Sequence, residues 1–107
     1  MNRRVIEQTE VSKGDFEGYL HGAKVSVIFA QAANAGEGPR LHRHPYDETF
    51  IVQSGAARFQ LGEDELILRA GQILVAPALV PHRFTTMGEY VAMHVHAHDR
   101  FITEWLE

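Results

Sequence analysis

Gly36-Glu-Gly-Pro-Arg-Leu-His42-Arg-His44-Pro-Tyr-Asp-Glu48 sets two imidazoles and a carboxylate close together, and Gly55, Pro77 and His82 follow downstream. Alternate side chains of a β-strand share a face and rise about 3.3 Å per residue, so His42 and His44 lie on one side with Cα atoms roughly 7 Å apart. Two side chains leaning together close that gap. Metal–imidazole bonds of about 2.0–2.1 Å and metal–carboxylate bonds of about 2.0–2.2 Å require donors that converge from one side of an element. Glu48 has the parity of both histidines. Pro45 lacks a backbone donor and favours a break, which bends the chain and re-aims Glu48 toward the same point. His82 is too distant to join locally, so the fold must deliver it.

The spacing Gly36-x5-His42-x-His44-x3-Glu48-x6-Gly55, with Gly71-x5-Pro77-x4-His82 after it, resembles the two motifs of the cupin superfamily. Two positions depart from the family pattern: Leu79 stands where a glycine is usual and Thr86 where an asparagine is usual. Neither is a ligand position, so the departures bear on local turn geometry. The resemblance implies an all-β fold, a small antiparallel β-barrel or jelly roll (double-stranded β-helix), with residues 1–107 forming one cupin domain. It implies that His42, His44, Glu48 and His82 hold one divalent transition metal per chain. Iron, manganese, nickel and zinc all occur in the family, and imidazole and carboxylate donors do not choose among them.

The rest of the chain agrees with an all-β reading. Lys24–Ala30 alternates around Val25, Val27 and Phe29, and Thr49–Gln53 is a β-branched and aromatic run closed by Ser54-Gly55. Ala57–Leu61 and Glu65–Leu68 flank a tight acidic turn and read as a hairpin. Ile73–Ala76 is a brief strand stopped by Pro77, and Tyr90–Ala97 is another. From residues alone this is a barrel or a sandwich. Phe101, Ile102, Trp105 and Leu106 recur at helical spacing behind Asp99, which predicts a short C-terminal helix packed on the barrel or on a second subunit.

With 107 residues and 45% hydrophobic content the chain suits one core. A net charge of −4 offers no basic patch for nucleic acid. No apolar run approaches the roughly 20 residues of a membrane span, and Arg3-Arg4 has no apolar segment behind it, so a cytoplasmic protein is expected. The absence of cysteine restricts protein ligands to nitrogen and oxygen.

Three neutral imidazoles and one carboxylate leave a divalent ion with open positions for water, dioxygen or a bidentate substrate. Parity continues the Glu48 face through Phe50 and Val52 and the His82 face through Phe84, so an apolar, aromatic pocket is expected. Tyr46, Arg58 and Gln60 are its candidate polar contacts. His94-Val-His96-Ala-His98 puts three more histidines on one strand face, and the ending Arg100–Glu107 resembles that of small cupins in which a histidine precedes a similar segment, which nominates His96 as a catalytic acid–base group.

The expected activity is a metal-dependent dioxygenase-type oxidoreductase acting on a small oxygen-bearing organic substrate. A metal-assisted isomerase, decarboxylase or lyase uses the same ligands, and a non-enzymatic small-ligand-binding cupin uses the same pocket. A homodimer is expected through Val91, Met93, Val95 and the Trp105 segment.

Overall fold

The structure is a computed structural model that describes residues 5–11 and 14–107; the Arg3-Arg4 pair lies outside them. Its strands are β1 (Ser26–Ala32), β2 (His42–Arg43), β3 (Glu48–Leu61), β4 (Asp64–Arg69), β5 (Ile73–Ala76), β6 (His82–His96) and β7 (Glu104–Trp105). Every strand pairing among the described residues is antiparallel. The order runs β4-β3-β6-β2-β7, with β1 on β6 and β5 on β3, and this is the jelly-roll arrangement of an all-β protein. Among the described residues no helix is long and apolar enough to cross a membrane.

The long strands β3 and β6 pair along nearly their whole length, from Glu48 opposite His96 to Leu61 opposite His82. Strands this long must bend to wrap a core, and they do so at register shifts between Val52 and Ser54 and between Gly55 and Ala57. Gly55 is required there: its φ is +76°, and a Cβ would collide with the Glu89 carbonyl oxygen. The β3–β4 hairpin closes in two residues, Gly62-Glu63, with Gly62 at φ +58°.

The core holds Phe50, Val52, Ala57, Phe59, Leu68, Ala76, Tyr90 and Ala92. Each large apolar side chain fully withdrawn from water contributes about 1.5–3 kcal/mol. On β3 the inward parity changes from even (Phe50, Val52) to odd (Ala57, Phe59), because the shifted register inserts an extra residue after Val52. Arg58 and Gln60 are thereby turned outward. They line a shallow surface depression with Glu65, Arg83 and Thr85, so the expectation that they face the pocket is corrected.

A second correction concerns the C-terminus. Residues 101–107 form no helix but an extended strap, whose Glu104 and Trp105 pair with Arg43 and His42 as β7. Arg43 Nε and Nη2 donate to Glu104 at 2.8 and 3.0 Å, and the Leu106 amide donates to the Leu41 carbonyl at 3.0 Å. Seven residues are too few to nucleate a helix without tertiary help, and a free edge at β2 offers backbone partners instead.

Candidate metal centre

Sheet register assembles the site. His42 lies opposite His82 across β2 and β6, and one inward row runs Ser26, His96, Glu48 and Ala76 across β1, β6, β3 and β5. All four of these are buried. Between β2 and β3 the chain bends at Pro45-Tyr46, which brings His44 against Glu48. The loop before β6 is tied to that bend, since the Leu79 amide donates to the His44 carbonyl at 2.7 Å and the Ala78 amide to Asp47 Oδ1 at 2.9 Å.

His42, His44, Glu48 and His82 each present one donor atom, and these atoms all lie within 4.8 Å of one another. Donors bound 2.0–2.2 Å from a single ion stand about 3.0–4.3 Å apart, so small side-chain adjustments bring the set to bonding distance. None of the four residues is more than 7% exposed. The three rings also touch, with centroids 4.5–5.2 Å apart.

Proton accounting shows why a cation suits this site. His42 Nδ1 lies 2.7 Å from the Arg40 carbonyl, His44 Nδ1 2.7 Å from that of Ile102, and His82 Nδ1 3.0 Å from that of Val80. A carbonyl only accepts, so each ring spends its single neutral-state proton on Nδ1, leaving a lone pair on Nε2. Those lone pairs face an acceptor: Glu48 Oε1 is 3.0 Å from His44 Nε2 and 3.1 Å from His82 Nε2. His44 Nε2 is buried and out of alignment for a hydrogen bond despite that distance. Acceptors pointed at one another are unfavourable until a cation sits among them, and the residues therefore fit a divalent metal.

The ionisation pattern agrees. Burial lowers the pKa of His42, outweighing its carbonyl partner. Burial also acts to lower that of His44, but the Glu48 carboxylate and the Ile102 carbonyl prevail and raise it. Desolvation acts to raise the Glu48 pKa, yet hydrogen bonding to His44, His82 and His96, which needs a proton on Nε2 in the place a metal ion would otherwise take, holds it well below the usual carboxylate range. Glu48 is thus an anion available as a ligand.

Around this centre lies a cavity of about 290 Å³. Phe50 and Phe84 line it, as do Ile28, Ala30 and Pro39, and so do His94 and His96. The strap contributes Phe101, Thr103 and Trp105. Val52 lies deeper, in the core. Tyr46 stands behind the wall, where its hydroxyl is 2.6 Å from His96 Nδ1 and accepts the Ile102 amide at 3.2 Å. His96 Nε2 faces Glu48 Oε2 at 3.1 Å. His98 is turned to the surface, 3.2 Å from Asp99 Oδ1, and does not line the cavity. Sequence reading missed the strap's place in the wall and the Ile102 carbonyl, which any residue type supplies. The alternation Phe101, Thr103, Trp105 was the available signal.

The chain is 36% identical over 72 residues to Protein SchB of Streptomyces halstedii, covering 66% of this chain and 52% of SchB. It therefore spans about half the length of that curated relative. Its fold is similar to that of the DMSP lyase DddQ from Ruegeria pomeroyi, with a TM-score of 0.67 and 20% identity over 78% of this chain and 43% of that one. Similar too is the salicylate 1,2-dioxygenase of Pseudaminobacter salicylatoxidans, with a TM-score of 0.64 and 16% identity over 69% of this chain and 21% of that one. The family model described as Cupin domain matches residues 29–98, a span that holds every ligand and both long strands, and the chain belongs to the cupin family.

Proposed function

We propose that this chain is a metal-dependent oxidoreductase of the dioxygenase type, acting on a small organic molecule with metal-binding oxygens. One observation carries the reading: three imidazole lone pairs and an ionised carboxylate converge at the base of a cavity walled by aromatic and aliphatic side chains. His42, His44, Glu48 and His82 would hold one divalent ion per chain. Such an ion supplies Lewis acidity and a place for substrate oxygens to bind. Phe50, Phe84 and Trp105 exclude water from the substrate's hydrocarbon portion.

His96 is the acid–base group of this reading. The Tyr46 hydroxyl, whose pKa burial pushes up to about 12, keeps its proton and donates it to His96 Nδ1, so the neutral ring carries its own proton on Nε2. That nitrogen lies 3.1 Å from Glu48 Oε2 but out of alignment for a hydrogen bond, so its proton is left without a partner on the cavity wall, within reach of a bound ligand. Oxygen uptake by iron-, manganese- or nickel-loaded protein across enols, enediols and catechol-like compounds tests the proposal. Silence with every metal would overturn it. His96→Ala should keep bound metal and lose turnover.

The Tyr46–His96 pair also favours a second reading, a lyase or isomerase that moves protons without dioxygen. Turnover under strict anaerobiosis selects that reading over the first.

A further inference from the structure

His94 takes no part in the ligand set or in the Tyr46–His96 pair, yet it is 3% exposed and lines the cavity. Its ring is packed by Phe50 and Phe84, with centroids 4.7 and 5.1 Å away. Its Nε2 lies 2.8 Å from the Tyr90 hydroxyl. Tyr90 is buried, and among the described residues its hydroxyl has no other hydrogen-bond partner, so its proton goes to Nε2. The His94 proton is then fixed on Nδ1. That N–H has no partner within hydrogen-bond distance; Glu48 Oε2, the nearest charged atom, is 3.9 Å away. This donor is left open on the cavity wall, where a ligand can supply its acceptor.

The charge of the wall narrows the ligand further. Glu48 is the one charged side chain among the described residues that line the cavity, and no lysine or arginine joins it. Arg40, the guanidinium at the strap, sits 5.0 Å over the Trp105 ring and is exposed. A divalent ion on the four-residue cluster would offset the Glu48 charge, so the polar contact left to the rest of the wall is the open His94 donor.

The geometry points to His94 Nδ1–H as the group that orients the substrate, by donating to a carbonyl or ether oxygen of a planar molecule. This rests on the enzymatic reading of the same cavity. Tyr90 acts through His94 and is a positioning residue.

Trp105, the single tryptophan of the chain, lines the cavity and reports occupancy by fluorescence. The full chain, as purified and after chelator treatment, is titrated with acetophenone and toluene, with calorimetry alongside. Acetophenone is expected to bind at least tenfold more tightly than toluene. His94→Phe, which keeps an aromatic ring in the same packing, should weaken acetophenone about tenfold and change toluene less than twofold. Tyr90→Phe frees the tautomer and should weaken acetophenone several-fold with toluene again unchanged; it serves where His94→Phe fails to fold. No saturable binding of acetophenone, or an acetophenone-to-toluene ratio unmoved by either variant, overturns the inference. Because these readouts are binding alone, a protein silent in oxygen uptake that still shows the preference would reject the dioxygenase reading and retain this one.

Discussion

His44 Nδ1 donates to the carbonyl of Ile102, 58 residues further along the chain, at 2.7 Å. This bond fixes the tautomer of a ligand from a segment outside both metal motifs. The same residue's amide donates to the Tyr46 hydroxyl, so Ile102 braces both the candidate ligand and the Tyr46–His96 pair proposed for acid–base work. Carbonyl partners of this kind typically change metal affinity by 10- to 100-fold when lost. Deleting residues 101–107 is therefore expected to weaken metal binding by about that factor while the β3–β6 sheet stays folded. Competition with a metal-sensitive dye, read beside far-ultraviolet circular dichroism, checks this; undiminished affinity would show the strap to be a lid only.

Leu79 occupies the turn where the family pattern has glycine, and its φ is +68°, the sole positive value for a non-glycine among the described residues. An L-residue in this region is strained by about 1–2 kcal/mol, and glycine returns part of that gain through its freer unfolded chain. With the side chain more than half exposed, little packing is lost. Leu79→Gly should stabilise the protein by about 0.5–1 kcal/mol and raise the thermal midpoint by about 2–6 °C. A lower midpoint would mean that the isobutyl group makes a contact worth more than the strain.

The same turn shows what the sequence made legible. Spacing located His42, His44, Glu48 and His82, because period-two alternation and a fixed loop length are written in residue order, and it flagged Leu79 as a departure whose backbone consequence is now visible. Parity failed at Arg58 and Gln60, since no residue type marks the extra position after Val52 that reverses the faces of β3. The helical spacing of Phe101, Ile102, Trp105 and Leu106 misled for a related reason. Periodicity records which side chains are apolar, whereas β7 forms because β2 leaves an edge to be paired, and that edge exists only in the folded sheet.

Burial depresses the His94 pKa to about 4 from the 6.5 of an ordinary imidazole. The folded protein therefore binds fewer protons at this ring than the unfolded chain does between those limits, and stability rises with pH across the window. The contribution is complete above pH 6.5 and is lost as pH falls through 4, amounting to roughly 3 kcal/mol. His42 shifts in the same direction, whereas His44 shifts upward and opposes it. Urea midpoints of metal-free protein from pH 7 to pH 4 should fall steeply for wild type and less steeply, by about that amount, for His94→Phe. Parallel curves would show that His94 is not held neutral by its surroundings.

The outer face of the sheet completes the series. Opposite the inward row, Val27, Val95, Thr49 and Val75 stand in register across β1, β6, β3 and β5, and a second row sets Phe29, Met93, Ile51 and Ile73 side by side. Ile73 is 63% and Val75 49% exposed, so the apolar face is uncovered at its β5 edge. Four strands carrying two such rows offer a surface of the kind that a symmetric dimer buries, where about 800 Å² per partner suffices for a stable interface. Trp105, a candidate contact by sequence, lies instead on the cavity wall beside His42, with ring centroids 5.1 Å apart. Sedimentation equilibrium is expected to give twice the chain mass for wild type. Ile73→Lys with Val75→Lys places two charges on the exposed edge without touching the core, and should give the monomer with metal content unchanged. A wild-type monomer, or a double variant that remains dimeric, would move the interface elsewhere or abolish it.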